Sequence, residues 1–196
     1  MRVDGLRADE VPEAGAVLAR AFADDPLWTF LFGPRPLRVA RVACTGLLRD
    51  HHRHGRVDAA RDEAGRVVGV AAWLPPGAFP LGLRRELAGA PTWAKVGLLR
   101  PRSAPRAIRS VIALDALHPD EPHWFLSLLG VDPSWQGRGV GSRLLPPVLE
   151  QAGLVHLDTS KPANLPWYRR FGLEPVEQIV SVPGAPPSWA LRRDAP

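Results

Sequence analysis

The segment from Leu126 to Leu145, LSLLGVDPSWQGRGVGSRLL, constrains the fold more than any other stretch of this 196-residue chain. An apolar run, Phe125 to Val131, stops at Asp132-Pro133. Gln136, Gly137, Arg138, Gly139, Val140 and Gly141 follow, and an apolar helical pattern begins after them. A chain that leaves a strand and turns through glycines into a helix start forms an anion site. Residues without side chains let the backbone approach a ligand closely. The free N–H groups of the first helical turn and the positive end of the helix dipole then hold phosphate oxygens. The segment predicts a phosphate-bearing ligand.

A dinucleotide is the first ligand to weigh. Gly137-Arg138-Gly139 opens a G-x-G, and Asp158 lies at a strand end about 20 residues on, where a ribose-binding acid belongs. Position 142 is serine, so G-x-G-x-x-G is not completed. The turn also lies too late in the chain for the βα units of a doubly wound sheet to follow it.

The rest of the chain reads as mixed strands and helices. Val3 to Arg7 is a strand candidate. Asp9 to Ala23 is a helix, with Asp9 as its cap and Pro12 in its first turn. Asp24-Asp25-Pro26 breaks it before a short aromatic helix, Leu27 to Phe32, and a third helix spans Pro36 to His54. Gly55 to Ala60 and Arg66 to Leu74 form a hairpin through Asp62-Glu63-Ala64-Gly65. Residues 79 to 118 read as helical segments punctuated by Pro91, Pro101 and Pro105. Trp124 to Val131 is a strand, and the helix after the glycine turn runs to Ala152 with a kink at Pro146-Pro147. Leu154 to Asp158 is a strand, Asn164 caps a helix from Leu165 to Phe171, and Val176 to Val182 and Ser188 to Arg192 are strands. The fold class is α+β (mixed α/β): a central mixed, mostly antiparallel sheet of 6–7 strands flanked by helices, in a single domain over 1–196.

Composition narrows the function. The net charge is +5, but arginines are scattered among acids and prolines without a basic block, so nucleic acid is not expected as a partner. No apolar run is long enough to span a bilayer, and MRVDGLRADEVPEAG lacks the apolar core of a secretory signal, so a cytoplasmic protein without a membrane partner is expected. The single cysteine, Cys44, leaves no internal disulfide and no cysteine cluster for a metal.

Two motifs carry a resemblance. Q-x-x-G-x-G after a strand ending V-D-P, and then LDTSKPANLPWYRRFGLEPV with Tyr168 before Phe171-Gly172, resemble the pyrophosphate and catalytic segments of the GNAT superfamily of acyl-CoA-dependent N-acyltransferases. The order of elements agrees from Val3 onward. Within the superfamily, AFADDP (residues 21–26), residues 121–150, residues 157–172 and the tail SVPGAPPSWALRR are similar to the puromycin N-acetyltransferase group.

The resemblance implies attack of an amine on the thioester of acetyl-CoA, the co-substrate. Gly137, Gly139, Val140, Gly141 and Ser142 would present backbone to the pyrophosphate, with Gln136 and Arg138 as further contacts. Leu129, Gly130 and Val131 would offer strand-edge groups to the pantetheine arm. Tyr168, the only tyrosine, would protonate the leaving thiolate, and Asp158 would take the amine proton, with His123 and Asp24 as weaker bases. The superfamily often places a CoA-contacting asparagine seven residues before its tyrosine; here that position is Lys161, and Asn164 lies four before, so either would meet CoA. Asp24, Asp25, Trp28 and Phe32 would wall the acceptor, with Ser127 or Trp124 facing it from the central strand. The implied partners are acetyl-CoA and a small amine, aminonucleoside or antibiotic-like, acted on by a monomer or homodimer. Acylation of a protein N-terminus or lysine, and a non-catalytic acyl-CoA-binding module, are the alternatives.

Overall fold

The computed structural model describes residues 1–34 and 36–195. Its strands are β1 (Arg2–Gly5), β2 (Arg56–Arg61), β3 (Val67–Leu74), β4 (Trp124–Val131), β5 (Val155–Thr159), β6 (Glu174–Val180) and β7 (Pro187–Arg193). They form one seven-stranded sheet in the order β1-β2-β3-β4-β5-β7-β6. Neighbours are antiparallel except β4 and β5. The helices are α1 (Val11–Ala21), α2 (Pro26–Phe32), α3 (Leu37–His54), α4 (Leu83–Leu99), α5 (Ala104–Asp115), α6 (Val140–Leu144), α7 (Pro146–Leu149) and α8 (Leu165–Arg169). This is the mixed, mostly antiparallel architecture that the element pattern predicts. Among the described residues no helix is long and apolar enough to cross a membrane.

Strand β3, VVGVAAWL, is buried at every position because helices cover both of its faces. Alternate side chains go to opposite layers. Val70 and Ala72 pack with Leu18 of α1 and Cys44 and Leu48 of α3. Val68, Ala71 and Trp73 pack with Val140 and Leu144 of α6 and Val148 of α7. A third cluster, Leu27, Leu31, Phe32, Val39 and Val96, joins α2, α3 and α4 beside α5. The hairpin turn is held as its composition predicts: the Asp62 carboxylate accepts from the N–H groups of Ala64 and Arg66.

Local signals mislead at three places. Asp9 does not cap α1. It lies in a 3-10 turn, and the next residue, Glu10, accepts from the Arg7 N–H at 2.9 Å and pairs with buried Arg61 of β2. Pro91 does not interrupt its helix, since α4 runs through it. The missing hydrogen bond falls on an exposed turn, where water serves the Leu87 carbonyl. Asn164 precedes α8 but makes no capping bond; its side chain donates to Thr159 Oγ1 at 3.2 Å. Pro146 acts as predicted and divides the long helix into α6 and α7 at Leu145.

One irregularity positions the site. Ala72 of β3 faces Leu128 and Trp73 faces Leu126, so Ser127 is an extra residue in β4. Such a bulge bends its strand. Strand β4 then pairs with β5 only through Trp124–Val155 and Phe125–His156, and beyond these pairs the two parallel strands part.

Candidate active site

A cavity of about 610 Å³ fills the gap between the parting strands. Leu126 to Val131 of β4 form one side and Asp158 to Lys161 the other. The glycine turn, Tyr168 of α8, and Asp25 and Trp28 of α2 complete it.

The glycine turn is fixed from below. The Asp132 carboxylate accepts from the Ser134 N–H at 3.0 Å, the Ser134 hydroxyl at 2.6 Å and the Arg20 Nε of α1 at 2.7 Å. Its own N–H donates to the Val68 carbonyl at 2.9 Å. Gln136 closes the loop by donating its amide to the Val131 carbonyl at 3.1 Å. Among the described residues, the N–H groups of Gln136, Gly137, Arg138 and Gly139 donate to no protein acceptor. Gly137 and Gly139 have φ of +73° and +74°, a conformation that residues with a Cβ rarely adopt. Gly141 is needed for a different reason. A Cβ there would stand 3.2 Å from the Trp167 ring, so the glycine lets α8 pack on α6. Gly130 likewise lets α1 approach β4, since a Cβ would stand 2.7 Å from Leu18.

Tyr168 is buried, with Trp167 edge-on at 4.9 Å. Its hydroxyl makes no hydrogen bond to the described protein. Burial, followed by the negative charges of Asp158 and Asp25, pushes the phenol well above its ordinary value, so it stays protonated. Asp158 ends β5 on the opposite wall. Burial, then the carboxylates of Asp115 and Asp25, push it up to about 6. No described group donates a hydrogen bond to it. A phenol that keeps its proton and a carboxylate that exchanges one near neutrality share a cavity, which suits acid and base work in one step.

Asp25 caps α2, accepting from the Trp28 N–H at 3.0 Å, and also accepts from the Ser160 hydroxyl at 2.9 Å. Burial raises its carboxyl against the opposing pull of these donors and of Lys161. Ser160 thereby ties α2 to the end of β5. Nothing in the sequence points to this pair, whose members lie 135 positions apart. Arg170 and Trp167 also line the cavity without having stood out in sequence.

Leu129, Gly130, Val131, Val140, Ser142, Asn164 and Lys161 reach the cavity; Arg138, Asp24, Phe32 and Trp124 do not. The Arg138 guanidinium stacks 5.0 Å over the Trp135 ring. Asp24 is exposed and pairs with Lys161 at 2.5 Å. Phe32 packs in the α2–α3–α4 cluster, and Trp124 packs on the α6–α7 side of the sheet. Of the two alternatives on β4, Ser127 is the one at the cavity. His123 lies outside it, its Nδ1 against the Glu121 carbonyl and its Nε2 against the His118 Nδ1.

Residues 107–175 match the acetyltransferase (GNAT) domain model. The chain is also 36% identical over 150 residues to N-alpha-acetyltransferase RimI of Mycobacterium tuberculosis, spanning 71% of this chain and 89% of that protein. The chain belongs to the GNAT acetyltransferase family. This GNAT protein superposes on a structure described as histone acetyltransferase HPA2 and related acetyltransferase from Corynebacterium glutamicum, with a TM-score of 0.70 and 25% identity over 99% of this chain and 96% of that one. It shares its fold with the Drosophila melanogaster polyamine N-acetyltransferase, with a TM-score of 0.64 and 19% identity over 98% and 99% of the two chains. The GNAT protein is thus an acetyl-CoA-dependent N-acyltransferase, which sets aside the non-catalytic module.

Proposed function

We propose that the enzyme acetylates the primary amine of a small molecule, with the whole chain acting as one domain. Acetyl-CoA supplies an acetyl group activated as a thioester. The free amides of the glycine turn would hold its pyrophosphate, and the open edge of β4 at Leu129 to Val131 its pantetheine arm. Lys161 and Arg170 place positive charge on the cavity wall, which suits a ligand carrying phosphates.

The observation that carries the reading is the pairing of Tyr168 and Asp158 across a cavity headed by unpaired amides. The amine nitrogen bonds to the thioester carbon, the C–S bond breaks, Asp158 takes a proton from nitrogen and Tyr168 gives one to sulfur. Holding both substrates in one cavity makes the step effectively intramolecular. Asp25 and Trp28 offer a carboxylate and an aromatic face to a cationic or aromatic acceptor. The likeness of AFADDP and the C-terminal tail to the puromycin N-acetyltransferase group supports an acceptor of aminonucleoside or antibiotic-like size.

A second reading has its own support. Identity with RimI, named as an N-alpha-acetyltransferase, favours a peptide N-terminus as acceptor. A CoA-release assay with acetyl-CoA across aminonucleosides, arylalkylamines, alkylamines and peptides decides between them. The small-acceptor reading expects some amine to surpass every peptide in kcat/KM. The reverse order replaces it with the peptide reading.

A further inference from the structure

The acidic groups on the acceptor side continue outward beyond the cavity. Among the charges acting on Asp158, Asp115 of α5 precedes Asp25, although Asp25 lines the same cavity. Asp115 in turn feels Glu86 of α4. The three acids Asp158, Asp115 and Glu86 thus lead from the cavity to the surface on three separate elements.

Neither outer acid is placed for stability. Asp115 is the last residue of α5, at the negative end of the helix dipole, where a carboxylate is disfavoured. The positions three and four residues before it are Ile112 and Val111, and His118 three residues after it is held neutral by burial, its pKa pushed down to about 3. Glu86 is flanked on its own helix by Gly82, Leu83, Gly89 and Ala90. The adjacent cation, Arg85, turns away to pair with Asp50 of α3 and to donate to the Ala78 carbonyl. Arg106 of α5 is used at the Leu31 carbonyl and over the Phe30 ring. No ion pair engages Asp115 or Glu86 among the described residues. In a chain of net charge +5, two unpaired acids are left facing each other.

The side chains around them are apolar and exposed: Leu83 and Leu87 on α4, and Val111 and Ile112 on α5. Negative charge set in exposed apolar surface matches a cation on a hydrocarbon chain. The third carboxylate, Asp158, faces the cavity without a hydrogen-bond donor and lies where the reacting nitrogen must lose its proton.

We propose that the acceptor is an alkyl diamine, with its reacting nitrogen at Asp25 and Asp158, its second and protonated nitrogen held by Asp115 and Glu86, and its methylene spacer against the apolar side chains of α4 and α5. Asp115 and Glu86 are then specificity-determining residues. The inference rests on the small-amine reading above.

The test compares 1-aminobutane with 1,4-diaminobutane and its three- and five-carbon homologues, using the full chain and acetyl-CoA. Two equivalent amines give a diamine a statistical factor of two. One charge-assisted contact adds about tenfold, so the best diamine should exceed the monoamine in kcat/KM by about tenfold or more. In Asp115→Asn and in Asp115→Asn/Glu86→Gln, that ratio should fall toward two, chiefly through the KM of the diamine. Taking the ratio cancels any change in Asp158, which serves both amines alike. A wild-type ratio near two, or a high ratio that survives in the double variant, overturns the diamine inference and leaves the small-amine reading standing. Acetylation of peptides with turnover of neither amine overturns both.

Discussion

Tyr168 meets the cavity with a phenol that burial and two carboxylates keep protonated, and Asp158 meets it with a carboxyl that titrates near neutrality. Tyr168→Phe keeps the ring that packs on Trp167 and removes only the hydroxyl. General acid catalysis is worth about 10²–10⁴-fold, so kcat should fall by about that factor while calorimetry finds acetyl-CoA affinity little changed. A loss well under the lower figure would make Tyr168 a packing residue. Asp158 makes a second prediction through its raised pKa. Its ordinary value is 3.8 and its folded value about 6, so the folded chain holds this proton more tightly than the unfolded one. The stability this gives is fully present below 3.8 and is lost as pH rises through about 6. Asp158→Asn removes the cost of ionisation. The variant should therefore melt higher than wild type at pH 7.5, and the two should converge at pH 3.5, with about 2–4 °C expected per kcal/mol in a chain of this size. Acetylation by wild type should decline as pH falls through about 6, and this limb should vanish in Asp158→Asn if the carboxylate is the base. Both residues stand out in sequence because each sits in a motif. Asp115 and Ser160 carry no such mark, since each acts on its partner only after distant segments pack together.

At the scale of elements, the strand–turn–helix unit was legible because its signals are local: an apolar run, a proline stop, glycines and a new period. What separates β4 from β5 was not. Ser127 is a bulge only relative to Trp73 and Ala72 on the neighbouring strand, and register is a property of two segments. Asp9 fails as a cap for the same reason, because Glu10 beside it is drawn to Arg61, 51 positions away. The glycines of the turn, alike in sequence, separate in structure, and this predicts different failures. Gly139→Val forces a branched side chain into φ of +74° beside unpaired amides. It should abolish measurable acetyl-CoA binding by calorimetry while leaving the melting temperature within a few degrees. Gly141→Val presses instead on Trp167. Overpacking of this kind costs about 1–3 kcal/mol, so this variant should lose stability as well as affinity. Equal melting curves for the two variants would erase the distinction.

Over the whole molecule, charge is sorted against the average. The chain carries +5, yet the acceptor side presents Asp25, Asp158 and Asp115, while Lys161 and Arg170 stand in the same cavity. A cationic acceptor approaching from solvent meets two opposed fields: repulsion from the net charge, and attraction from nearby carboxylates. Salt distinguishes them. The Debye length is about 10 Å at 0.1 M, so charges spread over the surface act on the amine only in dilute buffer, whereas partly buried groups near the path are screened less. If the global charge governed, added salt would relieve repulsion and lower the acceptor KM. If the local acids govern, salt weakens attraction and the KM rises. The second outcome is expected: between 0.02 and 0.5 M salt, with acetyl-CoA saturating at both ends, the KM of an amine protonated at assay pH should rise by about two- to tenfold. That of an arylamine uncharged at the same pH should stay flat. A KM that falls with salt for the cationic amine would mean that the carboxylates do not guide the acceptor, and that Asp25 and Asp158 matter only once it is bound.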